Sequence, residues 1–158
     1  MFKYCLGLCF LVMSSFSFAE SQTWYFVRHF EKQKSDNPSL TETGKARAEA
    51  LASFFSNKPL KQVYSTDYNR TLETATPVAA LKKLPVENYD PRNLVEFATK
   101  LKSLDHVLVV GHSNTTPELL SLMGGASISI KESEFGIMYI VKKKDLDISS
   151  TSIHITLK

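Results

Sequence analysis

The strongest pattern in the chain is a nearly continuous apolar run, His106–Val110 (HVLVV). Runs of this kind belong to strands buried on both faces of a parallel sheet. Thr23–Arg28 (TWYFVR) is aromatic and β-branched, ends in a polar segment, and predicts a first buried strand. Gln62–Ser65 and Val86–Tyr89 predict two shorter strands. Between these runs the apolar spacing changes from two to three and four. Ala46, Ala50, Leu51, Phe54 and Phe55 predict a helix that Thr41 can cap, running to about Ser56. Glu42 suits its positive end, and Asn57, Lys58 and Pro59 stop it. A second helix, from about Tyr68 to Leu81, contains Pro77, which predicts a kink or an early turn. Leu94, Phe97, Ala98 and Leu101 share one face of a third, over Asn93–Ser103. A fourth starts at Thr115 or Thr116, takes Pro117 in its first turn and ends at Gly124-Gly125. Two closing strands, Phe135–Val141 and Ser152–Leu157, are joined through a turn at Lys142-Lys143-Lys144-Asp145. Strand and helix alternate four times, which predicts a single α/β domain: a three-layer sandwich with a mostly parallel central sheet flanked by helices.

The first 19 residues do not fit this scheme. They hold one cation (Lys3), an apolar run from about Tyr4 to Met13, and small residues at Ser17 and Ala19; no carboxylate precedes Glu20. This is the pattern of a secretory signal peptide, and the apolar run is too short to span a membrane. The expectation is therefore a leader over 1–19, a working domain over 20–158, and an exported protein, periplasmic or secreted. Both cysteines, Cys5 and Cys9, fall in the leader, so the domain folds without a disulfide. Removing Lys3 from the 19 cations leaves 18 against 16 anions. A net charge of +2 gives no footing for nucleic acid as a partner. With 43% hydrophobic and 22% charged residues, disorder and coiled coil are excluded. Neither glycine-rich nucleotide-binding pattern is present.

Candidate chemistry lies where the predicted strands end, the place where open α/β sheets bind ligands. The first strand ends in Arg28-His29-Phe30-Glu31, the second leads through Ser65-Thr66-Asp67 to Arg70, and the fourth ends in Gly111-His112-Ser113-Asn114-Thr115. Two arginines, two histidines and several hydroxyls suit a tetrahedral anion. A guanidinium fork grips two phosphate oxygens at once, and a helix N-terminus adds free N–H groups. A neutral imidazole beside such a phosphate can attack phosphorus in line and carry the phosphoryl group.

The segments YFVRHFEK, SLTETGKARAEAL, VYSTDYNRTLETATPVA and VLVVGHSNTTPELL resemble, in order and spacing, the signature segments of the histidine phosphatase superfamily, the phosphoglycerate mutase-like proteins. The resemblance runs from about Trp24 to Leu120. It implies a phosphoglycerate mutase-like fold, a phosphatase activity, and no metal or organic cofactor. It implies His29 as the phosphorylated nucleophile, Arg28 and Arg70 as phosphate-binding arginines, and His112 as the second histidine of the pocket. Asn114 can hydrogen-bond phosphate or cap the helix. Phe30 stands where the family pattern has glycine, a feature of its small R-H-x-E members. No segment carries an obvious general acid; Asp90, Glu87 and Glu31 are the candidates. The implied partner is a phosphorylated substrate: a small molecule, a glycolipid sugar or a protein.

Two other readings use the same residues. His29, Glu31 and His112 form a conceivable two-histidine, one-carboxylate metal set, disfavoured because two arginines would repel the cation. A non-catalytic module that binds phosphate or a phospho-ligand would keep the pocket without turnover. A mutase of cytosolic intermediates fits poorly with export. His106 and His154 read as packing or surface residues.

Overall fold

The computed structural model describes residues 21–157; the signal-peptide expectation for 1–19 lies outside them. Alternation along the central strand decides the architecture. In β1 (Ser21–Arg28), Tyr25 and Val27 point to one face of the sheet and Trp24 and Phe26 to the other, all four buried. A strand apolar on both faces needs cover on both sides. On the Tyr25 side, α1 (Glu42–Phe55) and α2 (Asn69–Lys82) supply Leu51, Phe55, Ala75 and Val78. On the Trp24 side, α3 (Leu94–Leu101) and α4 (Thr115–Leu122) supply Phe97, Leu101, Leu119 and Leu120. The result is the three-layer α/β sandwich.

The six strands lie in the order β3-β2-β4-β1-β5-β6, with β2 at Gln62–Ser65, β3 at Val86–Asn88, β4 at Val107–Gly111, β5 at Ile137–Lys144 and β6 at Asp147–His154. The first four are parallel; β5 runs antiparallel to β1, and β6 to β5. β1 and β4 are neighbours, yet α1 leaves β1 to one face and α4 leaves β4 to the other. A crevice opens where two adjacent strands send their helices apart.

Three expectations are corrected. Lys142–Lys144 are not the hairpin turn but the end of β5, paired with Asp147–Ser149; the turn is Asp145-Leu146. Asp145 takes the left-handed conformation (φ 55°), which a short polar side chain tolerates. Of the kink or early turn expected at Pro77, the early turn does not form: helix α2 runs through Pro77 to Lys82. β4 begins at Val107, since His106 also has positive φ (54°) and cannot continue a strand.

Candidate active site

The two histidines are brought together by backbone. The N–H of His29, the residue after β1, donates to the carbonyl of Gly111 at the end of β4 (2.9 Å). His112 follows directly. Gly111 is required by space: a Cβ there would lie 2.6 Å from the Thr115 hydroxyl and 2.7 Å from that of Tyr89. Thr115 Oγ1 in turn accepts from the His112 N–H (2.9 Å), which fixes the turn into α4. The ring centroids of His29 and His112 are 5.7 Å apart. Both line a cleft of about 370 Å³, together with Arg70, Tyr68, Asn114 and Glu132.

His29 is nearly sealed from solvent, at 3% exposure. Its Nδ1 lies 2.8 Å from the Phe30 carbonyl oxygen. A carbonyl only accepts, so Nδ1 carries the proton and Nε2 keeps its lone pair. Burial, with the charges of Arg28 and Arg70 adding to it, pushes the imidazole down to about 3. His29 is therefore neutral at physiological pH. That is the state a nitrogen nucleophile requires.

His112 is set the other way round. Arg70 Nη2 can only donate, and it lies 3.4 Å from Nδ1 of His112. The proton therefore sits on Nε2, which donates to Thr66 Oγ1 (2.9 Å). The Thr66 hydroxyl donates to Thr71 Oγ1 (3.0 Å), and Thr71 donates to main-chain carbonyls. This hydroxyl chain orients the ring. Burial, followed by Arg70 and Arg28, lowers its basicity to about 4. A bound phosphate would add negative charge and favour the imidazolium. The guanidinium of Arg70 lies 4.6 Å from the centre of the Tyr68 ring, which holds the fork at the cleft.

Arg28, at the same strand end, is 3% exposed and does not line the cleft. Its Nη1 donates to the carbonyls of Lys131 (2.7 Å) and Glu134 (3.0 Å), and its Nη2 pairs with Glu132 (3.1 Å). Asn114 precedes α4 without a side-chain cap bond, leaving its amide free to face the cleft.

None of the three general-acid candidates lines the cleft. Glu31 turns away into a fork-to-carboxylate pair with Arg47 (2.6 and 3.1 Å), which with its other hydrogen bonds outweighs burial and holds its carboxyl below the usual range. Asp90 is exposed and paired with Arg92 (3.0 Å) in an adjoining cavity that shares Tyr68. Glu87 lies on β3, 3.7 Å from Lys100. Glu31 thus cannot join His29 and His112 as a metal ligand, and among the described residues no group of three His, Cys, Asp or Glu side chains has ligand geometry. The carboxylate that does line the cleft is Glu132, which sequence reasoning missed. It sits in an aperiodic stretch between Gly125 and Gly136, and only the KESE run before a strand marked it.

A buried neutral histidine, a second histidine and an arginine fork, grouped at the carboxyl ends of parallel strands, define a phosphatase. The family model for the histidine phosphatase superfamily (branch 1) matches residues 23–97. Over that stretch the chain is similar to the superfamily. No curated protein sequence matches the chain. Among solved structures, it resembles the protein histidine phosphatase SixA complexed with tungstate (TM-score 0.67, 14% identity, 85% of this chain and 97% of that one). It also resembles a mycobacterial glucosyl-3-phosphoglycerate phosphatase (0.66, 11%, 85% and 98%). A third is an Entamoeba histolytica phosphoserine phosphatase variant bound to phosphoserine (0.66, 12%, 84% and 96%). At such low identity, these TM-scores show a shared fold alone.

Proposed function

We propose that this phosphatase hydrolyses a phosphomonoester or a phosphohistidine through a covalent intermediate on His29. The observation that carries the reading is the Nδ1–H···O=C bond to Phe30, which leaves Nε2 of a neutral ring as the free nucleophile. In the first step the Nε2 lone pair forms a bond to phosphorus in line with the leaving group. The P–O or P–N bond breaks with its electron pair, and the leaving atom takes a proton from solvent water, since none of the three acid candidates lines the cleft. In the second, water attacks phosphorus and gives up one proton to solvent, the N–P bond breaks with its electron pair returning to Nε2, and inorganic phosphate leaves neutral His29 behind. Arg70 and His112 stabilise charge on the equatorial oxygens as it spreads. The candidate acids stand away from the cleft, so good leaving groups should react faster than alkoxides, for which proton donation is worth about 10²–10⁴-fold.

The leader pattern in residues 1–19 supports export to the periplasm or outside the cell, and no helix of the described residues is long and apolar enough to cross a membrane. The substrate is then a phosphorylated small molecule, glycolipid sugar or protein that reaches a shallow cleft.

The test is hydrolysis of an aryl phosphate by the purified domain with a chelator present. Activity that persists with chelator and disappears in His29→Ala supports the proposal. Retained turnover in that variant would reject His29 as nucleophile, and turnover that requires added metal would reject the mechanism.

A further inference from the structure

The loop between α4 and β5 places an anion of the protein's own on the phosphate machinery. Glu132 accepts from Arg28 Nη2 at 3.1 Å and from the Ser113 hydroxyl at 2.5 Å. The same loop takes both bonds of Arg28 Nη1, and Phe135 lies over the guanidinium at 4.3 Å. Two donors that suit a phosphate oxygen are thereby held by a carboxylate. The Glu132 side chain is 78% exposed, so it is kept there by these two bonds and not by packing. Arg28 is buried, but the Glu132 end of the pair stands in solvent, where water can take over its hydrogen bonds and let the carboxylate leave. Gly124 and Gly136, on either side of the loop, both have positive φ (79° and 85°), a conformation that other residues rarely adopt.

We infer that Glu132 is an internal counter-ion that the substrate's phosphoryl group displaces from Arg28 and Ser113, and that its return expels the product phosphate. The inference rests on the phosphatase reading above. Arg28 Nη1 stays tied to the loop carbonyls throughout, while Nη2 changes partner. Glu132 lowers the affinity for phosphate by competing for the same donors, so the product does not accumulate on the enzyme.

Glu132→Gln keeps the size and removes the charge. Titration calorimetry with inorganic phosphate, at low ionic strength on the whole domain, should show about ten-fold tighter binding, the factor expected where the competing contact is made about nine-tenths of the time. Product inhibition should deepen in parallel. Glu134→Gln removes a charge two residues away whose carboxylate does not touch Arg28, and should change binding less than about two-fold. Equal tightening in both variants would mean general repulsion and overturn the inference. Unchanged or weaker phosphate binding in Glu132→Gln would also overturn it. So would a loss of turnover on alkyl phosphates without tighter binding, which would make Glu132 a proton donor. Failure of the wild-type protein to bind phosphate would reject the proposed function, and this inference with it.

Discussion

Acid should destabilise this protein through His29, and replacing that residue should remove the effect. In the unfolded chain the imidazole titrates near 6.5, whereas in the fold it is held at about 3. The depressed value means that the folded state binds fewer protons. Stability is intact above 6.5 and is lost progressively as pH falls toward 3, where the folded state also protonates. Between pH 7 and pH 5 the unfolded histidine goes from mostly neutral to almost fully charged while the folded one stays neutral. One and a half pH units below 6.5, at 1.36 kcal/mol per unit, cost about 2 kcal/mol. The assay is urea unfolding of wild type and His29→Asn at pH 7 and pH 5. Every other titrating group is common to both proteins, so the difference between the two losses isolates His29. The wild type should lose about 2 kcal/mol more than the variant. Equal losses would show that His29 is not held neutral, and the argument for its nucleophilicity would fail with it.

Other consequences follow from individual contacts. Gly44→Ala would put a Cβ 2.2 Å from the Glu31 carbonyl oxygen; thermal or urea unfolding should show a loss of about 1–3 kcal/mol. Glu31→Gln should cost stability of about 1–3 kcal/mol, because Arg47 is then left half-buried without its carboxylate. It should leave the ratio of aryl to alkyl phosphate hydrolysis unchanged; a selective loss on alkyl phosphates would restore Glu31 as an acid. Arg70→Lys keeps the charge but loses the fork, and should weaken inhibition by vanadate about 10–100-fold.

The parallel core and the main residues of the cleft were legible in the chain for a physical reason. HVLVV and TWYFVR can only be strands buried on both faces, and the residues that follow such strands must meet at the sheet's carboxyl edge. That rule alone places His29 beside His112. The hairpin leaves a fainter trace: Asp147–His154 (DISSTSIH) is a largely exposed edge strand with a weak apolar signal, so the apolar pattern ends too early and puts the turn in the lysines. Glu132 was out of reach for a different reason. It meets Arg28 across 104 positions, from a loop without periodicity, and nothing local to either residue encodes the pairing. The partners of the three acid candidates are non-local or side-chain choices of the same kind: Arg47, Arg92 and Lys100 pair with Glu31, Asp90 and Glu87.

The central claim is that the phosphoryl group passes through His29 Nε2. It is tested most directly by rapid quench of the enzyme with radiolabelled aryl phosphate, followed by peptide mapping under alkaline conditions that preserve phosphohistidine. The account predicts an acid-labile, base-stable label on the peptide that contains His29, chased by unlabelled substrate and absent from His29→Ala. Turnover without any labelled protein, or a label on another residue, would contradict it.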